Sequence, residues 1–233
     1  MNKKNKIGVV IPALNEESSI AAVIGDIPPI VDVIVVVDNG SHDRTSELAE
    51  QAGAVVLHEP KRGYGYACTR GIHHLQSMGI EVVIFLDGDY SDHPEELPDL
   101  LTPIIEENFD LVIGSRMIGK RDKGALLPQA LFGNWLAGFL INLIWGYKFT
   151  DLGPFRAIKM EKLLAMNMVE FTFGWTIEMQ IKAAKMMLRT KEIPVSYRKR
   201  IGKSKVTGTL SGTVKASIGI LSCLFRHASK KKL

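Results

Sequence analysis

Two carboxylates separated by one glycine, Asp87-Gly88-Asp89, follow directly on five apolar residues, Val82-Val83-Ile84-Phe85-Leu86. Carboxylates spaced in this way can share a divalent cation and, through it, the oxygens of a diphosphate, because hard cations such as magnesium favour carboxylate and phosphate oxygen. The same three residues also suit a tight turn, where Asp and Gly are both common. An apolar run without alternation has both faces covered by protein, and acids at the end of such a strand are costly unless a cation meets them. Similar groups recur elsewhere. The apolar segment 31–37 ends on Asp38-Asn39-Gly40-Ser41, and segment 110–114 runs into Ser115-Arg116. A turn has to be invoked separately at each of these ends, whereas one site at the carboxyl edge of a single sheet accounts for all three.

The chain around these groups alternates strand and helix with short connections. Residues 7–11 form an expected first strand, followed by Pro12-Ala13-Leu14-Asn15-Glu16-Glu17. Asn15 is expected to cap a helix reaching about residue 26, with Glu16 and Glu17 in its first turn. Ser41 or Asp43 is expected to cap a second helix through about residue 51. A short strand at 55–57 leads to a basic, glycine-bearing loop, Lys61-Arg62-Gly63-Tyr64-Gly65, and a helix from about 66 to 78. After strand 82–86 comes a helix over 94–107 with Pro94 at a tolerated early position, then strand 110–114. This is the pattern of a parallel sheet wrapped by helices.

At 233 residues, 46% hydrophobic and 23% charged, the chain fits one large α/β domain or one domain with a short appendage. Its formal net charge of +4 is unevenly placed: from residue 182 onward 14 basic residues face a single acid, Glu192. Such a bias suits phosphates, anionic lipid or nucleic acid. Nucleic acid is the weakest of these, because Tyr197 and Phe225 are the only aromatics available to a stacking platform. Cys68 and Cys223 provide neither a disulfide framework nor zinc spacing, which fits a reducing, cytoplasmic setting. The first residues lead straight into a strand, so no signal peptide is expected. Neither a P-loop nor a dinucleotide-binding Gly-x-Gly-x-x-Gly is present.

Six segments stand in order along the chain: Ile11-Pro12-Ala13-Leu14-Asn15-Glu16; Asp38-Asn39-Gly40-Ser41-x-Asp43-x-Thr45; Asp87-Gly88-Asp89; Gly114-Ser115-Arg116; Asp151-Leu152-Gly153-Pro154-Phe155-Arg156; and Gly202-Lys203-Ser204-Lys205. Together they resemble the family 2 glycosyltransferases of GT-A fold, and more narrowly are similar to the dolichyl- or polyprenyl-phosphate sugar synthases. The resemblance implies a Rossmann-like, mainly parallel α/β sheet flanked by helices over residues 1–208, with an amphipathic basic helix and tail over 209–233. It further implies a UDP- or GDP-sugar donor, Mg²⁺ or Mn²⁺, and inverting displacement at the anomeric carbon. By the same resemblance, Pro12, Leu14, Glu16, Val36 and Asp38 would line the base and ribose pocket, with Leu86, Asp87 and Gly88 completing the donor site. Asp87 and Asp89 would be the metal pair, Arg200 and Lys205 would face the donor diphosphate, and Ser115, Arg116 and Arg156 the acceptor phosphate. The chemistry agrees with this assignment, since the leaving diphosphate gains charge that metal and guanidinium groups stabilise. Asn39 stands where relatives often carry a second aspartate, which is expected to weaken base or ribose contacts while sparing Asp38. Ser91 stands where some members carry a glutamine ligand.

Relatives that need a general base use an acid, and Glu178 in Trp175-Thr176-Ile177-Glu178 is the candidate here, with an ion pair on its own helix as the alternative. A phosphate acceptor needs no base, because it is largely a dianion at neutral pH. Residues 124–147 carry no charge, but Pro128, Gln129, Asn134 and Asn142 interrupt them, and a span there would put Arg116 and Arg156 on opposite sides of a bilayer. A helix on the membrane surface, one beside the acceptor entrance, or a buried core helix all fit. A last helix over 211–227 puts Val214, Ile218, Leu221 and Phe225 on one face, broadened by Ile220 and Leu224, with lysines 230–232 at its end. It suits an interfacial anchor on anionic lipid, or packing on the sheet or on a partner subunit of a homo-oligomer. The expectation is a peripheral membrane enzyme moving a hexose to a polyprenyl phosphate. The alternatives are the same fold with a soluble or other lipid acceptor, and a non-catalytic nucleotide-sugar or partner-binding protein.

Overall fold

The computed structural model describes residues 5–202 and 210–229, and gives only the backbone for 210–216 and 229. Seven strands form one sheet: β1 (Ile7–Ala13), β2 (Val33–Asp38), β3 (Val55–His58), β4 (Val82–Phe85), β5 (Leu111–Ser115), β6 (Arg156–Lys159) and β7 (Thr190–Pro194), in the order β3-β2-β1-β4-β6-β5-β7. All pairings are parallel except those of β6, which runs antiparallel between β4 and β5. The helices are α1 (Ile20–Gly25), α2 (Thr45–Gln51), α3 (Tyr64–Ser77), α4 (Leu97–Ile105, entered through a 3₁₀ turn at Pro94–Glu96), α5 (Pro128–Trp145), α6 (Met160–Met166), α7 (Trp175–Lys185) and α8 (Leu210–Ser229).

The central strands are apolar on both faces because both faces are covered. Val10, Val35, Val37, Val83, Phe85 and Ile113 join the core shared with α3, α6 and α7, while Val9, Ile11, Val36, Ile84 and Val112 join the core beneath α1 and α4. Alternate residues of one strand therefore serve two separate cores, the period-2 consequence of a pleated backbone. The register brings the strand ends to one edge. Ala13 pairs with Asp38, Val10 with Phe85, and Arg156 lies between Phe85 and Ile113. Because β6 runs against its neighbours, it starts at the edge where β1, β2, β4 and β5 finish. Ser115 pairs with Pro194, so the segment after β7 continues past the same edge.

Two capping expectations fail. Asn15 does not start a helix: it adopts a left-handed backbone (φ 52°), and its Oδ1 accepts the N–H of His42. Residues 14–19 are used to cross to the loop after β2, and α1 begins only at Ile20. Before α2, Arg44 holds the cap position without a side-chain capping bond, its guanidinium donating to Glu47, and Asp43 accepts the N–H of Thr45, the first helical residue. The uncharged stretch forms α5, but not as a core helix. Its inward residues are Asn134, Ala137, Gly138 and Ile141, while Phe132, Trp135, Phe139 and Leu143 point outward and are 51–68% exposed. The 208/209 boundary lies outside the described residues.

Candidate active site

Asp87 and Asp89 stand two and four residues beyond β4, held by a short loop. Gly88 O accepts from Ser19 Oγ (2.8 Å), Tyr90 turns the chain with φ 62°, and Ser91 N donates to Asp89 Oδ1 (3.0 Å). The other oxygen of Asp89 pairs with Arg200 Nη1 at 2.7 Å. Behind them Asp92 is buried, its Oδ2 receiving Asp87 N (3.4 Å) and its Oδ1 without a partner among the described residues. Burial first, and repulsion from Asp89 second, push the Asp87 carboxyl up to about 7; burial and the Asp87 charge push Asp92 up to about 8. Asp87 and Asp89 both line the cavity, and a pair of carboxylates of this kind suits a hard divalent cation. Among the described residues no group of three His, Cys, Asp or Glu side chains could hold an ion by itself. A cation there would therefore take further oxygens from a ligand, as magnesium does with phosphates.

The next strand end supplies a fixed cation. Arg116 meets Asp151 through two parallel bonds, Nε to Oδ2 and Nη2 to Oδ1, each 2.7 Å, and its backbone N–H adds a third (2.8 Å). Asn134 of α5 donates to the same carboxylate (2.8 Å), so this ion pair ties α5 to the sheet edge. A bidentate pair fixes the plane of the guanidinium as well as its position, and that plane lies over the Tyr197 ring (4.8 Å to the centroid).

These groups open into one cavity of about 780 Å³, within the range of small-molecule sites. Asp87, Gly88, Asp89, Arg116, Lys199 and Arg200 form its charged end. Pro12, Leu14, Glu16, Asn39, Arg62 and Tyr64 line a second wall, over the ends of β1 and β2. The rest of the lining is mixed: Leu127 just before α5, Gln129, Ala130, Gly133 and Asn134 of α5, Leu152 and Phe173, and Ser217 and Ile220 of α8.

The sequence-predicted residues thus divide. Pro12, Leu14, Glu16, Asp87, Gly88, Asp89, Arg116 and Arg200 converge on the cavity; Lys205 lies outside the described residues. Val36 and Leu86 do not join them, being fully buried in the core because their positions on the pleat face α1 and α4. Asp38 is turned inward, accepting Ser41 N and Ser46 Oγ (2.7 Å each); burial opposes its charge, but these bonds hold it below the usual carboxylate range. Ser115 is buried against Thr150 (Oγ to Oγ1, 2.6 Å). Arg156 is a strut: it donates to the carbonyls of Gly153 and Thr176, and burial lowers it to about 10. Glu178 is also absent from the cavity wall. It is fully buried, paired with Lys182 (2.8 Å), and accepts the N–H groups of Val169 and Glu170. Sequence reasoning missed Arg62 and Tyr64 as lining residues, for which the basic loop at 61–65 was the available signal; of the basic run Arg198-Lys199-Arg200, Lys199 and Arg200 line the cavity.

A profile of glycosyl transferase family 2 matches residues 8–164, more than half of the chain. Over 210 residues the chain is 34% identical to an uncharacterized glycosyltransferase of Mycobacterium tuberculosis, covering 89% of this chain and 93% of that protein. It is 30% identical over 223 residues to the undecaprenyl-phosphate mannosyltransferase of Micrococcus luteus, with coverage of 89% and 90%. With the dolichyl-phosphate hexose transferase of Haloferax volcanii it shares 30% over 221 residues, with coverage of 94% on both sides. Among solved structures, glucosyl-3-phosphoglycerate synthase from Mycobacterium tuberculosis, in complex with phosphoglyceric acid, matches with TM-score 0.75 at 25% identity, over 98% of this chain and 81% of that one. The same synthase has been crystallised with Mn²⁺, UDP and phosphoglyceric acid.

Proposed function

Because the chain belongs to glycosyl transferase family 2 and is a glycosyltransferase, we propose that it transfers a hexose from a nucleotide-diphospho-sugar to a polyprenyl-type phosphate at a membrane surface. The observation that carries this reading is the composition of the cavity: its charged end continues into a less charged part with Leu127, Ala130, Leu152, Phe173 and Ile220 among its lining, to which α5 and α8 contribute, and the outer faces of those two helices carry exposed apolar side chains. A phosphate bearing a hydrocarbon chain matches both halves. The mannosyl and hexosyl relatives, whose names specify undecaprenyl and dolichyl phosphate, support the same acceptor class.

In this reading Asp87 and Asp89 would hold the divalent cation, which when bound neutralises the donor diphosphate and its developing charge. The chain's own residues do the rest. Arg116 is held rigid by Asp151 at the edge where acceptor and donor meet, and Arg200 and Lys199 add positive charge to the same end. An acceptor phosphate oxygen attacks the anomeric carbon from the face opposite the diphosphate, forming the new C–O bond as the bond to the diphosphate breaks. The acceptor is already largely dianionic at neutral pH, so positioning and charge complementarity suffice without a base.

A second reading replaces the lipid phosphate by a soluble phosphorylated acceptor, favoured by the likeness to a synthase solved with phosphoglyceric acid. Incubation with Mn²⁺, radiolabelled UDP-glucose or GDP-mannose, and either polyprenyl phosphate or 3-phosphoglycerate separates the two. Label that partitions into organic solvent only with the lipid is the expected result. Label confined to water would sink the lipid assignment. Asp89→Ala should lower transfer at least about a hundredfold, on the scale of losing one electrostatic stabiliser of the leaving group.

A further inference from the structure

The wall over the end of β2 depends on one carboxamide. Asn39 is buried, and both ends of its side chain are engaged: Nδ2 donates to the carbonyls of Glu59 (2.9 Å) and Lys61 (2.7 Å), and Oδ1 accepts the N–H of Gly63 (2.8 Å). It therefore pins three points of the basic loop between β3 and α3. Gly63 at φ 150° lies so close to Phe171 O that a Cβ there would be only 2.4 Å from it, so the far end of the loop is also fixed.

Arg62 lies between two of the pinned points. A Cβ built on Gly40 would stand 3.2 Å from Arg62 Cζ, which places the guanidinium against the turn that follows Asp38. Arg116, Arg198 and Arg200 are each paired with a carboxylate, whereas among the described residues none is paired with Arg62, and Arg62 lines the cavity. Its place in the sheet order indicates what it would meet. Between the end of β2 and the acids after β4 lies one strand, β1, a separation of about 10 Å at roughly 4.8 Å per strand. On the nucleotide-sugar reading, a diphosphate at the acids leaves the wall over β1 and β2, with Pro12, Leu14 and Glu16, for its nucleoside, and that distance would bring the base edge near β2.

We propose that Asn39 is a positioning residue for nucleotide recognition, holding the 59–63 loop so that Arg62 presents its N–H fork to the acceptor edge of the donor's base. The inference rests on the nucleotide-sugar reading above. It also inverts the sequence expectation that Asn39 weakens this end of the site. A carboxylate at position 39 accepts but cannot donate; it would face two carbonyl oxygens and leave them without partners.

The test is a titration of UDP, GDP and pyrophosphate, each with Mn²⁺, into the full chain, Arg62→Ala, Asn39→Asp and the double variant. Arg62→Ala should weaken both nucleotides about tenfold, the scale of one charged hydrogen bond, and leave pyrophosphate unchanged. Asn39→Asp should show the same pattern, and the double variant should be no weaker than Arg62→Ala, because the two substitutions remove one interaction. Losses that multiply in the double variant, or an equal loss for pyrophosphate, would overturn the inference. Arg62 is exposed, so Arg62→Ala carries the test alone should Asn39→Asp fold poorly, and unchanged nucleotide affinity there also overturns it. A wild-type chain that binds neither nucleotide would overturn the nucleotide-sugar reading itself.

Discussion

A carboxylate with no exposure must be held by donors, and Glu178 has them on three sides. Lys182 lies one turn along α7, the backbone of residues 169 and 170 supplies N–H groups, and His227 Nε2 of α8 approaches to 3.7 Å. Burial alone would raise this carboxyl, yet the nearby His227 ring, the Lys182 ammonium and the Glu170 N–H bring it down to about 2. Its folded value lies below the unfolded one, so it stabilises the protein above the ordinary carboxylate range, and that contribution fades as pH falls from about 4.5 toward 2. The size is roughly 3 kcal/mol at neutral pH. Glu178→Gln should therefore flatten the acid limb of a melting-temperature profile. It should leave kcat within about threefold of wild type, whereas loss of a general base costs at least about a hundredfold. Asp87 and Asp92 behave oppositely. Raised from 3.8 to about 7 and 8, they hold protons in the fold that the unfolded chain has released, so their stabilising effect is full below the unfolded value and is lost as pH rises from there to the folded values. Cation capture must expel those protons, and Mn²⁺ affinity measured by calorimetry should weaken as pH is lowered from about 8 to about 6.

Opposed signs are also expected within a single helix. On α5 a Cβ at Gly138 would stand 2.1 Å from Phe149 O, while at Gly133 nothing lies within 4 Å. Gly138→Ala must push α5 off its support at about 2 kcal/mol, or roughly 4–8 °C in melting temperature. Gly133→Ala should raise stability by somewhat under 1 kcal/mol through helix propensity. The sequence revealed that a helix forms here but not which side faces in. The inward side is read normally as the apolar one, yet here it is Asn134, Ala137 and Gly138, chosen for closeness and for the bond to Asp151. The first four expected strands and the fifth were legible because their runs are apolar on both faces. Strands β6 and β7 were not: Arg156-Ala157-Ile158-Lys159 is short and ends in charges, and Thr190–Pro194 is a half-exposed edge. The antiparallel insertion of β6 is set by long-range pairing that no local pattern carries. The acids and Arg116 were found through their strand ends. Arg156, Ser115 and Glu178 are buried and do not line the cavity, which residue type and position alone could not reveal.

At the scale of the molecule, two helices packed on each other, α5 and α8, carry exposed apolar side chains. Along α5, Phe132, Trp135 and Phe139 pack successively, with ring centroids 5.8 and 5.9 Å apart, and Leu143 extends the row. On α8, which packs against α5, Ile218, Leu221 and Phe225 are outward while Cys223 and Leu224 are buried. Contiguous exposed apolar faces of this kind mark a contact with a partner or a membrane. Among the described residues no helix is long and apolar enough to cross a bilayer. In the proposed reading the contact is in the membrane plane, with the aromatic rings of α5 at the interface. Other residues of the same helices line the cavity, so in that reading the face that would meet lipid and the wall that would meet the acceptor are two sides of one layer. Replacing Trp135, Phe139 and Leu143 together by serine should then reduce sedimentation with vesicles containing anionic lipid at least about tenfold. Transfer to a short, water-soluble prenyl phosphate should fall less than about threefold, because none of the three lines the cavity. If the substituted chain still sediments with vesicles but changes from dimer to monomer in light scattering, the face belongs to a second copy of the chain and the membrane assignment fails.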